Sequence, residues 1–158
     1  MLKLILNKKY NPLFSSDARY FIITGGRGSG KSFAVTVFLT LLTMTKGIRI
    51  LFTRFTMTSA HLSIIPEFLE KIGLLGFDEV FSINKAEVVN TSNQSDILFR
   101  GIRTSAGNQT ASLKSLQGIS TWVLDEAEEL VDENIFDTID LSIREKNIHN
   151  RVVLILNP

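Results

Sequence analysis

Hydrophobic positions come in short blocks separated by polar punctuation. Tyr20 to Thr24 (YFIIT) is apolar and β-rich, and predicts a strand. It runs directly into GGRGSGKS and then SFAVTVFLTLLTMTKG, which is apolar nearly all round and stops at Lys46-Gly47. A helix without a polar face predicts burial against a sheet. Ile48 to Thr53 (IRILFT) predicts a second strand, and Thr58 to Ile72 a helix with Pro66 as a kink and Gly73 as its stop. Between Val80 and Ile102, FSINKAEVV and ILFRGI flank the polar turn TSNQSD, the pattern of a β-hairpin or meander. Ala106 to Gln117 is polar and reads as a flexible connection. Ile119 to Leu124 (ISTWVL) predicts a third buried strand, Asn134 to Glu145 a helix, and Arg151 to Leu156 (RVVLIL) a last strand before Asn157-Pro158.

Strands that are continuous apolar runs are buried on both faces, as in parallel sheets covered by helices. Alternating strand and helix patterns predict an α/β fold with a mainly parallel central sheet, flanking helices and a β-hairpin insertion. The length of 158 residues predicts one domain, 1–158. The pattern ends directly after a core strand, so we expect a piece of a longer protein. The absence of Cys excludes disulfides and thiol chemistry, and the two His form no local metal motif. A net charge of +1 lacks the basic excess of a domain that binds nucleic acid unaided. The most apolar window, Phe33 to Met44, is shorter than the ~20 residues that span a bilayer and is interrupted by threonines. A soluble, intracellular protein without a membrane partner is expected.

Gly25-Gly26-Arg27-Gly28-Ser29-Gly30-Lys31-Ser32 fits the phosphate-binding pattern G-x-x-x-x-G-K-S/T, between an apolar strand and an apolar helix. Glycines allow a tight loop whose backbone N–H groups point inward and cradle an anion. Lys31 adds charge for the β- and γ-phosphates of ATP. Ser32 offers a hydroxyl to Mg²⁺ and opens a helix whose N-terminus favours phosphate. Thr121 to Glu126 (TWVLDE) is an apolar strand ending in two carboxylates. Asp125 is placed to hold Mg²⁺ and Glu126 to orient and polarise water. The same pair would also serve as helix N-cap residues. A Glu directly after the Asp favours hydrolysis of a nucleoside triphosphate over transfer to a small acceptor. Asn157 sits at a strand tip, where P-loop ATPases with an added strand sense the γ-phosphate. Asn-Pro is also a common turn pair. Tyr10, Asn11 and Phe14 precede the first strand and suit either an adenine pocket or an N-terminal flap.

The GGRGSGKS loop, the hairpin with ILFRGI, the LKSLQGI segment, TWVLDEAEEL and the opening KYNPLF…ARYFIITGGRGSGKS together resemble bacteriophage terminase large subunits. The resemblance spans essentially the whole chain, but only the N-terminal ATPase half of such proteins. It implies a P-loop NTPase of the additional-strand, catalytic-glutamate type that drives viral double-stranded DNA into a procapsid. A C-terminal RNase H-like nuclease domain is expected in the full-length protein and absent here. Position by position, Lys31 and Ser32 would bind phosphate and Mg²⁺, Asp125 would be the metal-binding acid, and Glu126 the catalytic glutamate. Asn157 would fall in the coupling motif, and Arg27 would contact phosphate or sense nucleotide state. A trans-acting finger is expected from Lys114, Arg103 or Arg100, although lysine lacks the bidentate fork of arginine. These three are equally ordinary surface charges.

The resemblance also implies a portal protein, a small terminase subunit and viral DNA as partners. It implies a homo-oligomeric ring when assembled, monomeric for this piece, working in the host cytoplasm. Other readings stay open: a helicase-like or recombinase-like DNA-dependent ATPase, or a nucleotide-binding module without turnover.

Overall fold

The computed structural model describes residues 4–57 and 60–158. These residues carry one eight-stranded sheet. Its strands are β1 (Tyr20–Thr24), β2 (Arg49–Thr56), β3 (Phe81–Ile83), β4 (Glu87–Asn90), β5 (Asp96–Thr104), β6 (Gly107–Asn108), β7 (Thr121–Asp125) and β8 (Arg151–Leu156). The main path runs β1-β8-β7-β2-β5-β4-β3, with β6 attached to β5. β1, β8, β7, β2 and β5 are mutually parallel, while β4 and β3 fold back antiparallel as a meander beside β5. The helices are α1 (Pro12–Ser15), α2 (Lys31–Leu42), α3 (Ala60–Leu74), α4 (Thr110–Lys114) and α5 (Glu133–Asp140).

The sheet separates two cores. On one face Ala34, Val35, Phe38 and Leu39 of α2 and Ile64, Phe68 and Ile72 of α3 pack on Phe52, Phe99, Val123 and Val153. Phe52, Phe68 and Phe99 meet in pairs, with ring centroids 5.2–5.8 Å apart. On the other face Leu113 of α4 and Ile139 of α5 cover Leu51, Leu98, Trp122 and Val152. Every residue of β7 is buried, as its continuous apolar run requires. Trp122 donates its indole N–H to Thr53 Oγ1 at 2.8 Å, and Thr53 donates in turn to the Val123 carbonyl at 2.9 Å. That chain satisfies the polar atoms of a core otherwise built from hydrocarbon.

The expected elements are present, but several boundaries differ: β2 runs on to Thr56 rather than ending at Thr53, and α5 stops at Asp140 rather than Glu145. The P-loop helix α2 ends at Leu42, and a turn precedes Gly47. Its threonines are tolerated in the core because Thr40 and Thr43 donate to the carbonyls of Thr36 and Thr40. Helix α3 runs through Gly73 to Leu74, and Gly76 at φ +74° makes the stop. There Leu75 N–H and Phe77 N–H return to the Lys71 and Ile72 carbonyls. Its expected start at Thr58 lies outside the described residues. FSINKAEVV is two strands, because Asn84 Oδ1 accepts the N–H groups of Ala86 and Glu87 and turns the chain. The supposedly flexible 106–117 stretch holds β6 and α4, the latter anchored by buried Leu113.

β1 pairs with β8 alone among the described strands, and its alternate residues Tyr20 and Ile22 stay 48% and 67% exposed. In this register Thr24 is level with Leu156, and Arg54 of β2 is level with Asp125 of β7. The C-terminal ends of the parallel strands therefore meet on one edge of the sheet, where open α/β folds place their ligands.

Candidate active site at the C-terminal edge of the sheet

Residues 25–32 leave β1 as a compact loop. Gly28 and Gly30 have φ of +79° and +81°, values that L side chains rarely adopt. Ser29 N–H closes a turn onto the Gly26 carbonyl at 3.2 Å. At Gly25 a Cβ would stand 2.7 Å from Ser29 Oγ, so a side chain there would force the Ser29 hydroxyl to move. Gly30 then caps α2, and the first helical residues are Lys31 and Ser32. The Lys31 side chain is buried and donates to the carbonyls of Gly25 and Gly26. Arg27 is exposed on the rim of the loop.

Facing the loop is the end of β7. Asp125 is almost fully buried and is held by Arg54, whose Nε and Nη2 both lie 2.8 Å from Asp125 Oδ2. Arg54 Nε is also 3.9 Å from Glu126 Oε2. Glu126 itself has φ +54° and ψ +46°, a left-handed conformation that costs a non-glycine residue of order 1 kcal/mol. Its N–H is tied to Asp125 Oδ1 at 3.0 Å. Burial pushes the Glu126 carboxyl above its ordinary range. Arg54 opposes that rise, and Asp125, Glu129 and Glu128 add to it. The helix expected to follow is one 3₁₀ turn, Ala127–Glu129, and Glu126 makes no side-chain cap to it. The N-cap reading of this residue therefore falls away. Asp132, not Asp125 or Glu126, caps α5, accepting from Asn134 N–H and Ile135 N–H.

Asn157 arrives at the tip of β8, between β1 and β7, as the added strand requires. Its backbone N–H and side-chain amide donate to the two carboxylate oxygens of Glu128 at 3.2 and 3.0 Å. Burial pushes the Glu128 carboxyl up. Hydrogen bonds from its own N–H and from Asn157 outweigh this and hold it below the ordinary glutamate range.

Gly26, Arg27, Gly28, Ser29, Gly30, Lys31, Ser32, Arg54, Asp125, Glu126 and Asn157 line one cavity of about 320 Å³. The buried Ser29 Oγ in its wall has no hydrogen-bond partner among the described residues. Such a wall suits a polyphosphate, which brings acceptors to N–H and hydroxyl donors and charge to Lys31. Ser32 and Asp125 offer a divalent cation one hydroxyl and one carboxylate. That sparse donor set fits Mg²⁺, which takes its other ligands from phosphate and water. Among the described residues no group of three or more His, Asp and Glu could hold a metal by itself.

The three finger candidates lie outside this cavity. Arg100 donates to the carbonyls of Ala86 and Phe99 and props the meander. Arg103 is exposed near the end of β5, on the same sheet edge but four strands from β1, about 19 Å at the usual strand spacing. Lys114 is exposed at the end of α4. Arg54 escaped the sequence reading because IRILFT suggested a strand ending at Thr53, whereas β2 continues to Thr56. An arginine on the same strand face as Phe52 was the available signal. Its partner depends on β2 and β7 being neighbours.

A P-loop at the end of β1, a carboxylate pair at the end of the strand two places away and a polar tip on the strand between them define a P-loop NTPase fold of the additional-strand, catalytic-glutamate type. The family model described as "Phage terminase large subunit" matches residues 17–158, and the chain belongs to that family. Among solved structures, the large terminase of a thermophilic bacteriophage superposes with a TM-score of 0.74 at 10% identity, covering 98% of this chain and 40% of that one. The HK97 bacteriophage large terminase gives 0.71 at 10% identity, covering 97% and 33%. The N-terminal domain of the DNA packaging ATPase from bacteriophage phi29 gives 0.65 at 16% identity, covering 96% and 78%. No curated protein matches the sequence. The chain thus spans about 40% and 33% of the two large terminases.

Proposed function

We propose that this chain is the ATPase part of a terminase large subunit, which hydrolyses ATP to drive viral double-stranded DNA into a procapsid. The observation that carries the reading is the convergence of the 25–32 loop, Asp125, Glu126 and Asn157 on one cavity. Family membership supports it, as do structures of the thermophilic phage large terminase in complex with ATP-gamma-S and with ADP.

In this reading the loop N–H groups bind the phosphates, and Lys31 turns from the Gly25 and Gly26 carbonyls to the β- and γ-phosphates. Ser32 and Asp125 would hold Mg²⁺, which neutralises charge on the phosphate oxygens. Glu126 positions a water in line with the β–γ bridge and takes its proton. The water oxygen bonds to the γ-phosphorus as the bond to the bridging oxygen breaks, giving ADP and phosphate. Its raised proton affinity makes Glu126 a better base than an exposed glutamate. Arg27 and Asn157 register the loss of the γ-phosphate. In the assembled ring Arg103, too far from its own P-loop, would serve a neighbour, as would Lys114. Arg100 suits this role least, since its guanidinium already holds backbone. The structure of the bacteriophage phi29 viral genome packaging motor assembly, with a TM-score of 0.65 at 15% identity, supports an oligomeric motor. Portal protein, small terminase subunit, a nuclease domain beyond this chain and action in the host cytoplasm belong to the same proposal.

The test is ATP turnover by the full-length protein with portal and DNA, wild type beside Glu126→Ala. The reading expects stimulation by portal and DNA, and loss of turnover with retained ATP binding in the variant. Stimulation by DNA that ignores the portal would favour a helicase-like or recombinase-like ATPase. Wild-type turnover in Glu126→Ala would sink the catalytic assignment.

A further inference from the structure

The segment ahead of β1 reaches the P-loop with the side chain of Tyr10. Tyr10 ends a 3₁₀ turn, Lys8–Tyr10, which Asn7 caps by accepting the Lys9 N–H at 3.1 Å. The Tyr10 ring is only 5% exposed and belongs to the core beneath α2. Its hydroxyl donates to the Ser29 carbonyl at 2.9 Å.

That carbonyl shares a peptide plane with the Gly30 N–H. In a trans peptide the two groups point in opposite directions. Drawing the Ser29 carbonyl toward Tyr10 therefore aims the Gly30 N–H the other way. Glycine has nearly equal access to both halves of φ space, so the 29–30 peptide is cheap to rotate. Nothing intrinsic to GSGK selects the orientation at φ +81° that places Gly30 at the head of α2. A buried phenol can make that selection, because its ring is held in the core and only 5% exposed.

We infer that Tyr10 is a positioning residue for phosphate binding: its hydroxyl sets the Ser29–Gly30 peptide so that the Gly30 N–H faces the phosphate cradle. This rests on the P-loop reading given above. It differs from a base-stacking role, for which a 5% exposed ring has little free face.

The discriminating variant is Tyr10→Phe, which keeps the ring and removes one hydrogen bond. Affinities for magnesium ATP and for magnesium tripolyphosphate are measured by calorimetry, well below the unfolding transition of each protein. Loss of one such hydrogen bond predicts a roughly fivefold weakening, equal for both probes. A hydroxyl that merely stabilises the fold would shift the unfolding midpoint and leave both affinities of the folded protein unchanged, which overturns the inference. Weakening for ATP alone would assign Tyr10 to the nucleoside and also overturn it. If the wild-type chain binds neither probe, the phosphate-cradle reading itself fails and this inference falls with it.

Discussion

Replacing Arg54 by methionine separates the electrostatics of the site from its packing. The arginine lies 2.8 Å from Asp125, with 27% and 12% of the two side chains exposed. Exposed ion pairs contribute about 0–1 kcal/mol, while removing one partner of a buried pair costs about 3–5 kcal/mol. A pair between those limits predicts a loss of about 2 kcal/mol at neutral pH. The pH dependence follows from Glu126. Burial raises its proton affinity in the folded state, and Arg54 is the one cation opposing that rise. A carboxyl raised on folding favours the native state at low pH and disfavours it as pH climbs through and beyond the ordinary glutamate value of 4.5. Without Arg54 the rise is larger, so the variant loses more stability than wild type between about pH 4 and 7. Urea denaturation at both pH values measures this, and a double-mutant cycle with Asp125→Asn isolates the pair. A deficit of the same size at about pH 4 and pH 7, or a coupling below about 0.5 kcal/mol, would refute the electrostatic account.

Other expectations follow from neighbouring contacts. Thr53→Val leaves the fully buried Trp122 indole N–H without its acceptor and should cost about 1–3 kcal/mol in urea denaturation, with nucleotide affinity unchanged. The Asn157–Glu128 contact should persist through the ordinary glutamate range and open only as pH falls below it, because a carboxyl depressed on folding stabilises above its unfolded pKa. The Asn157 side-chain amide resonances should report that titration, and Glu128→Gln should abolish it.

The chemistry of the site was legible wherever it is carried by contiguous residues. GGRGSGKS is one loop, and its glycines need no partner from elsewhere to declare their purpose. The run TWVLDE likewise announces a buried strand whose carboxylates emerge at its end. What remained hidden depends on which strands are neighbours. Arg54 looks like a surface arginine until β2 and β7 are set side by side, with Arg54 level with Asp125. Glu128 looks like one more acid in DEAEE until β8 brings Asn157 to it. Helix ends were misplaced for a local reason. Gly73 and Gly76 are equivalent as letters, and only Gly76 takes the positive φ that ends a helix.

The strand order also sets a mechanical path. The loop that would hold nucleotide hangs from β1, and Asp125 and Glu126 end β7. Within the described sheet the two meet only through β8, held by five register pairs on one side and four on the other. β8 therefore works as a spacer bar. A slip of one residue along either ladder would move the loop by about 3.3 Å relative to the carboxylates, more than the length of the hydrogen bonds that a water would make between them. The gap across which hydrolysis would occur is thus set by the registration of an apolar strand, RVVLIL, that contributes no reactive group of its own.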